Sequence, residues 1–474
     1  MLASGEGGQD WGRSAALAEV GRVGEGGQRG GRRYEVSSAI LVAVGSNGGL
    51  PDRFIVRPSG PLAGEVRAGG AKNSALKLMV ACLLAPGRSV LTNVPLITDV
   101  DIMSDVLRAT GAVVTRSPSV AGEPGELIID VPDTVVPEAP YELVEKMRAS
   151  VVVLGPLLAR CGRARVSMPG GDDFGHRPID MHLSGLAAMG VSFEVAHGYV
   201  EGVVEGGGPL TGAHIVLEYP SHTVTDNLLM AAVAAKGTTV IENAAREPEV
   251  CDLADMLVAM GATIRGAGTS RVEIEGTGEL RPARHRVVAD RVVAATFLAA
   301  AGIAGGEVVV SDARIDHMRM LVGKLSDMGM VVEQRPDGVY GASSGRLRSV
   351  DVSTLPYPGV ATDFKPFLVT MLALADGVGI VTENLFAGRF RYVDELRRMG
   401  ADIRTEGHHA VVRGVPRLSG APVRATDLRA GATLVLAGMA ADGETVVSEA
   451  HHVDRGYEDL AGKLTALGAD VSRG

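Results

Sequence analysis

One phrase recurs six times in this chain, and it limits the fold more than any other feature. An apolar, helix-like segment ends in Leu-x-x-Met/Leu-Gly, with Thr110 in place of Met in the first copy, and leads into a short alternating strand. The copies are Leu107–Val114, Leu186–Val195, Leu257–Ile264, Leu325–Val332, Leu396–Ile403 and Leu464–Val471. Their glycines, Gly111, Gly190, Gly261, Gly329, Gly400 and Gly468, are separated by 79, 71, 68, 71 and 68 residues by subtraction. Chance matches to so short a phrase would not keep step, and a regular period is the signature of a repeated supersecondary unit. A second phrase precedes each copy: a small-residue helix ends at Gly and a β-branched strand follows. Gly87-Arg-Ser-Val-Leu-Thr-Asn93, Gly237-Thr-Thr-Val-Ile-Glu-Asn243 and Gly443-Glu-Thr-Val-Val-Ser448 are examples. Gly suits the left-handed position after a helix, and Val, Ile and Thr suit a half-buried strand. Each unit reads helix, strand, helix, strand. With 474 residues the chain is too long for one ordinary core, so the expectation is an α/β protein of two domains, three units in each.

The helices opening the units are apolar nearly all round: Ser74–Ala85, Ala149–Ala159, Leu228–Ala235, Val292–Ala301, Phe367–Ala375 and Ala432–Ala440. Such helices belong in the centre of a fold. The residues before them are sharply polar: Lys72-Asn73, Lys146 and Arg148, Thr225-Asp226-Asn227, Asp290-Arg291, Asp363, and Asp427 with Arg429. Carboxylates and amides there have an ordinary use as N-caps. Lys72, Arg148 and Arg429 do not, because a cation at a helix start opposes the dipole. Cations kept beside exposed backbone N–H groups describe an anion site.

Composition narrows the classes. Net charge is −10 and aromatics are 4% of residues, a poor match to a nucleic-acid binder, which needs a basic face and stacking platforms. No run approaches the roughly 20 apolar residues of a membrane span, and a cytoplasmic location is expected. Cys82, Cys161 and Cys251 lack ligand-like spacing and read as buried thiols in a reducing compartment. Residues 1–51 are rich in Gly, Arg, Glu and Ser, without sustained period. They read as a disordered, flexible extension or as a consequence of start-codon choice, with order beginning near Asp52 to Val56.

Several motifs stand in one order along the chain. They are Gly69-Gly-Ala-Lys-Asn-Ser-Ala75, Met147-Arg-Ala-Ser150, Pro169-Gly-Gly-Asp-Asp-Phe-Gly-His-Arg-Pro-Ile-Asp180, Asn243-Ala-Ala-Arg-Glu-Pro-Glu249, Ala361-Thr-Asp363, Asn384–Arg389, Asp427-Leu-Arg429 and Asp454-Arg-Gly-Tyr457. From about Asp52 to the C-terminus the chain resembles the enolpyruvyl transferases, and among them those of cell-wall synthesis that act on UDP-N-acetylglucosamine. The resemblance implies an inside-out α/β barrel fold, with 52–71 plus 290–474 as one domain and 72–289 as the other, the latter carrying a catalytic loop over 169–180. It implies transfer of the enolpyruvyl group of phosphoenolpyruvate to the sugar 3-hydroxyl with release of phosphate, and no metal or other cofactor. Lys72, Asn73, Arg177, Arg429 and Arg455 match residues that hold phosphoenolpyruvate. Arg148, the stretch Arg177-Pro178-Ile179-Asp180-Met181, Ser221, Asp363 and Leu385 match contacts to the uridine-linked sugar. Asp363 matches the carboxylate at the sugar hydroxyl and is the candidate general base; Arg389 is read as structural or domain-closing.

Two departures matter. Most family members place a cysteine proton donor after Pro-Gly-Gly, where this chain has Asp172, followed by Asp173. A free Asp has a pKa near 3.9 against about 8.5 for Cys, so an Asp172 donor needs burial or a neighbouring negative charge to raise it. Fosfomycin alkylates that family thiol, and a carboxylate is a poorer nucleophile toward its epoxide, so insensitivity is expected. The second departure is Ser221-His-Thr223 in place of the more usual Ser-Val-Gly at a segment touching the nucleotide diphosphate. It leaves open another uridine nucleotide, such as UMP, as acceptor. An inert, nucleotide-sensing relative is the third possibility, opposed by the retention of Lys72, Arg148, Asp363 and Arg455.

Overall fold

The computed structural model describes residues 52–119, 125–168, 170, 179–386 and 388–474. Asp172, Asp173, Arg177 and Pro178, like residues 1–51, lie outside the described residues. Six central helices open the units: α1 (Lys72–Ala81), α2 (Leu154–Cys161), α3 (His222–Ala232), α4 (Arg291–Ala304), α5 (Lys365–Leu374) and α6 (Leu428–Met439). The apolar all-round sequences are buried accordingly; every residue of α6 is buried. Each Leu or Val sequestered this way contributes roughly 1.5–3 kcal/mol. The second helix of each unit is one-sided. Thr98–Ala109, for example, buries Val100, Met103, Val106 and Leu107 and exposes the opposite face.

Six four-stranded sheets share one plan. The strand that follows a central helix pairs parallel with an edge strand on one side. On its other side it pairs antiparallel with the return arm of a hairpin. Thr238–Glu242 shows the pattern, between His214–Val216 and Arg271–Glu275, with Thr263–Arg265 beyond. Arg53–Val56 completes the last unit's sheet, between Thr445–Ser448 and Val471–Arg473. The six repeat glycines all have positive φ, from +89° to +112°, which turns each one-sided helix into the strand that follows it where a side chain would strain.

Helix starts differ from the sequence reading most at α2 and α3, while α6, expected at Ala432, begins four residues earlier at Leu428, so that Arg429 lies inside it. The helix expected at Leu228 begins at His222, so Thr225, Asp226 and Asn227 lie inside it and are buried. The helix expected at Ala149 begins as a 3-10 turn, Arg148–Val153, before α2. The run Val151-Val152-Val153 crowds the preceding turn of an α-helix.

Buried apolar side chains gather into two cores, one from Phe54–Ala68 and Val292–Val471, the other from Ala75–Val287. In the first, α4, α5 and α6 each pack against the other two, helices inside and sheets outside. In the second, α2 packs on α3, and the turn before α2 touches α1 and α3. Both cores belong to one compact unit. The chain passes between them twice, and the two crossings pair. Ala71 N–H donates to the Val288 carbonyl at 2.7 Å and Asp290 N–H to that of Gly69 at 2.9 Å. A Cβ on Gly70 would stand 1.8 Å from the Asn93 carbonyl oxygen, so only glycine fits this crossing.

Gly70→Ala should therefore destabilise the protein by about 2 kcal/mol or more in urea unfolding, by a steric and backbone mechanism. Gly208→Ala, with no atom within 4 Å of its Cβ position, should stay within about 0.5 kcal/mol of wild type. Equal stabilities for the two variants would contradict this account of the crossing.

Candidate active site

The polar groups at the central helix starts are tied together, beginning with Asp290. Its Oδ1 accepts from Val292 N–H and Val293 N–H, capping α4, and its Oδ2 accepts from Lys72 N–H at 3.1 Å. One carboxylate thus caps a helix in one core and holds the first residue of a helix in the other. Asp427 is likewise an N-cap, accepting from Arg429 N–H and Ala430 N–H at the start of α6.

Lys72 and Arg455 share one buried carboxylate. Lys72 Nζ lies 2.5 Å from Asp99 Oδ2, and Arg455 Nε donates to Asp99 Oδ1 at 2.9 Å. Asp99 is 1% exposed. Burial pushes its pKa up, but Lys72 and then Arg455 more than offset this and hold it below its ordinary 3.8. The chain turn beside Arg455 presses on the same group, since a Cβ on Gly456 would lie 3.2 Å from Lys72 Cδ. Asn73 is half-buried, and its backbone carbonyl accepts from Lys77 Nζ.

A second shared carboxylate stands at the starts of α5 and α6. Arg389 Nη1 donates to Asp363 Oδ1 at 2.7 Å and Arg429 Nε to Asp363 Oδ2 at 3.3 Å. Both arginines are buried, while 25% of the Asp363 side chain stays accessible. Burial raises the Asp363 pKa, yet Arg389 first and Arg429 second outweigh it and leave the carboxyl well below the usual range. Asp363 is no N-cap. Among the described residues Arg429 Nη1 is buried without a hydrogen-bond partner, and such a donor needs an acceptor to offset its burial. Leu385 stands on the adjoining loop, its N–H donating to Glu383 Oε1 at 2.8 Å.

The remaining candidates lie around α3. Ser221 precedes the helix, its Oγ 3.3 Å from Thr223 Oγ1. His222 Nδ1 is 3.4 Å from Lys77 Nζ and 3.8 Å from Asp226 Oδ2. Arg148 is half-buried at the start of its 3-10 turn. Its charge reaches His182, whose pKa is driven down to about 3 by burial, then by Arg148 and His222. Ile179 is buried, Met181 is half-buried and Asp180 is exposed at the first turn of the helix Asp180–Ala188. The free cysteines have raised thiol pKa values through burial, Cys82 to about 12 and Cys251 to about 11.

Sequence reasoning missed Asp99 and Glu249. Asp99 was detectable as an acid four residues before Met103, on the buried phase of a one-sided helix. Glu249 pairs with Arg291 Nε at 2.9 Å, joining the second core to the start of α4; it was part of a recognised motif, but nothing in the spacing named its partner.

Comparison with known proteins agrees along the whole described chain. The family model for EPSP synthase (3-phosphoshikimate 1-carboxyvinyltransferase) matches residues 56–464. A Nocardia farcinica protein named UDP-N-acetylglucosamine 1-carboxyvinyltransferase is 49% identical over 90% of this chain and 99% of its own. A Mycobacterium tuberculosis protein of the same name is 48% identical, again over 90% and 99%. Among solved structures, the enolpyruvyl transferase NikO from Streptomyces tendae superposes with a TM-score of 0.79 at 26% identity, covering 90% of this chain and 99% of that one. An EPSP synthase from Acinetobacter baumannii shares the fold, with a TM-score of 0.68 at 20% identity over 89% of this chain and 100% of its own.

Asp99→Asn would leave two cations around a neutral amide, and removal of one partner of a buried pair costs about 3–5 kcal/mol. Because the folded carboxyl titrates below 3.8, its contribution is full above the unfolded pKa and is lost as pH falls through the folded one. Urea unfolding at about pH 7 and about pH 3 should show wild type losing a part of its stability that Asp99→Asn already lacks. A variant as stable as wild type at neutral pH would refute the shared-carboxylate reading.

Proposed function

The chain belongs to the enolpyruvyl transferase family, and from that premise we propose that it transfers the enolpyruvyl group of phosphoenolpyruvate to the 3-hydroxyl of UDP-N-acetylglucosamine. Phosphate is released, and the reaction is the first committed step of peptidoglycan synthesis, carried out in the cytoplasm. The acceptor is carried by one observation: relatives bearing that activity in their names are 48–49% identical over 90% of the chain. The two cores are read as domains, 52–71 plus 290–474 and 72–289, the second carrying the loop 169–180.

In this reading the hydroxyl oxygen attacks C2 of phosphoenolpyruvate while C3 takes a proton. Phosphate then leaves C2 as C3 gives a proton back, restoring the double bond. Lys72, Arg429 and Arg455, with Asn73 and Arg177, hold the phosphate and carboxylate, where arginine forks suit planar oxygen pairs. Arg148, Arg177 to Met181, Ser221 and Leu385 hold the nucleotide sugar. Asp363 receives the hydroxyl proton. Its two guanidiniums make it a weak base in the unliganded site, and an arriving anion that draws Arg429 toward itself strengthens it. Asp172 donates to C3, its pKa raised by closure over an anionic substrate with Asp173 beside it.

Phosphate release from phosphoenolpyruvate with UDP-N-acetylglucosamine or with UMP, at equal concentration, tests the acceptor. The sugar nucleotide should be preferred; preference for UMP would move the acceptor, and binding without release would make the chain an inert nucleotide sensor. Asp172→Asn should lower kcat by about 10³-fold or more, the upper end of what a positioned acid supplies, while phosphoenolpyruvate still binds in calorimetry; near-normal turnover would sink the donor assignment. Exposure to fosfomycin should leave the intact mass unchanged, and an adduct mapped to the loop 169–180 would contradict the predicted insensitivity.

A further inference from the structure

Behind Asp363 lies a charged pair that none of the proposed chemistry uses. Lys365, the first residue of α5, and Glu383, after the strand Val378–Thr382, meet at 2.8 Å with both side chains 0% exposed. Every part of the pair is engaged. Glu383 Oε1 accepts from Thr354 Oγ1 at 2.7 Å, Leu385 N–H at 2.8 Å and Phe386 N–H at 3.1 Å. Its Oε2 accepts from Thr362 Oγ1 at 2.7 Å besides Lys365. Lys365 Nζ also donates to the Arg389 carbonyl at 2.5 Å and lies 3.9 Å from the centre of the Phe390 ring.

The contacts lead in one direction. Thr362 Oγ1 spends its proton on Glu383 and so offers a lone pair to Arg389 Nη1, which donates to it at 3.1 Å. The same Nη1 holds Asp363 Oδ1 at 2.7 Å. Arg389 is thereby fixed at both ends, by Lys365 at its carbonyl and by Thr362 and Asp363 at its guanidinium. Through Leu385 N–H and Phe386 N–H, Glu383 also sets the loop in which Leu385 stands.

Stability alone is a poor reason for such a pair. Replacing a buried ion pair by apolar groups of similar volume is often neutral or stabilising, because desolvation cancels the Coulombic gain. A pair with all its hydrogen bonds made does confer a single geometry.

We propose that Lys365, through its ion pair with Glu383, is a positioning residue for the transfer: it fixes Arg389 and the Leu385 loop, and through them the carboxylate of Asp363 that faces the acceptor hydroxyl. This rests on the transferase reading above. The pair also carries a pH dependence. Burial, partly offset by Glu383 and reinforced by Arg389, with Asp427 pulling the other way, brings the Lys365 pKa down to about 8. Neutral Lys365 leaves the Glu383 carboxylate without its counter-charge, so positioning weakens as pH rises through that value.

The test is the phosphate-release assay on wild type, Lys365→Met and the double variant Lys365→Met/Glu383→Gln, with thermal unfolding alongside. The single variant leaves a buried carboxylate unpaired and loses stability. The double variant removes both charges and should unfold within a few degrees of wild type. In the folded double variant kcat should fall about tenfold or more, and KM for phosphoenolpyruvate should stay within about threefold, as for an interaction that orients the transition state. The alkaline fall in kcat that wild type shows near the Lys365 pKa should be missing from it. A double variant that is folded, with kcat within about twofold of wild type and the same alkaline limb, overturns the proposal, because a purely structural pair would behave that way. Wild type without acceptor-dependent phosphate release overturns the transferase reading, and this proposal with it.

Discussion

Asp290 holds two helix starts on one carboxylate, and the rest of the site is built outward from that joint. Its Oδ1 caps α4 and its Oδ2 takes the N–H of Lys72, so the positive ends of helices from separate cores meet at a separation of a few ångströms. The paired crossings Gly69–Ala71 and Val288–Asp290 keep this joint from sliding. Lys72 is thereby aimed at Asp99, which in turn reaches Arg455 on the other core. Without the joint, the groups of the proposed anion site would belong to two unrelated surfaces.

The electrostatics follow one device used twice: a carboxylate shared by two cations, Asp99 between Lys72 and Arg455, Asp363 between Arg389 and Arg429. Cations at a helix N-terminus are opposed by the dipole by roughly 0.3–1 kcal/mol each, and burying them unpaired would cost several times more. Sharing keeps the cations in place while leaving each only part of a negative charge. The buried Nη1 of Arg429 shows what is left over. Under the proposed reaction, an incoming phosphate or carboxylate would meet a donor already desolvated and oriented, the condition under which hydrogen bonds to a charge are strongest.

Much of this architecture was written in the sequence because it repeats. Six glycines in register fixed the turns, and all six have positive φ; six all-apolar helices had nowhere to go but the centre. Asp290 and Asp427 were recognisable as possible caps, and both cap. What could not be read is what depends on contacts far apart in the chain. Arg455 and Asp99 are 356 residues apart and Lys72 N–H and Asp290 218, and no periodicity announces such partners. The start of α3 was misplaced for a local reason: Thr225, Asp226 and Asn227 look like caps, but they are buried inside the helix, where Asn227 Oδ1 accepts from Gly155 N–H and Asp226 faces Lys77. Arg148 falls at a helix start where the polar pattern put it, and Ser221, matched by resemblance, directly precedes α3, whereas Asp172 and Arg177 lie outside the described residues.

The two shared carboxylates are alike in charge and unlike in exposure, and the difference separates support from chemistry. Asp99 is sealed, with 1% of its side chain accessible, while Asp363 keeps 25%. A sealed carboxylate can only hold its cations. An accessible one can exchange a guanidinium for a substrate hydroxyl, and its basicity then depends on what the guanidiniums are doing. In the unliganded site both of them depress it. Under the proposed reaction, the anion that Arg429 must grip is also the partner of the hydroxyl that Asp363 must deprotonate. Binding of one substrate would thus raise the basicity needed for the other, and a carboxylate that is a weak base alone becomes an adequate one only when both reactants are present. That coupling requires Asp363 to stay in place while Arg429 shifts its allegiance. The arginine that does not move, Arg389, is the one anchored at both ends.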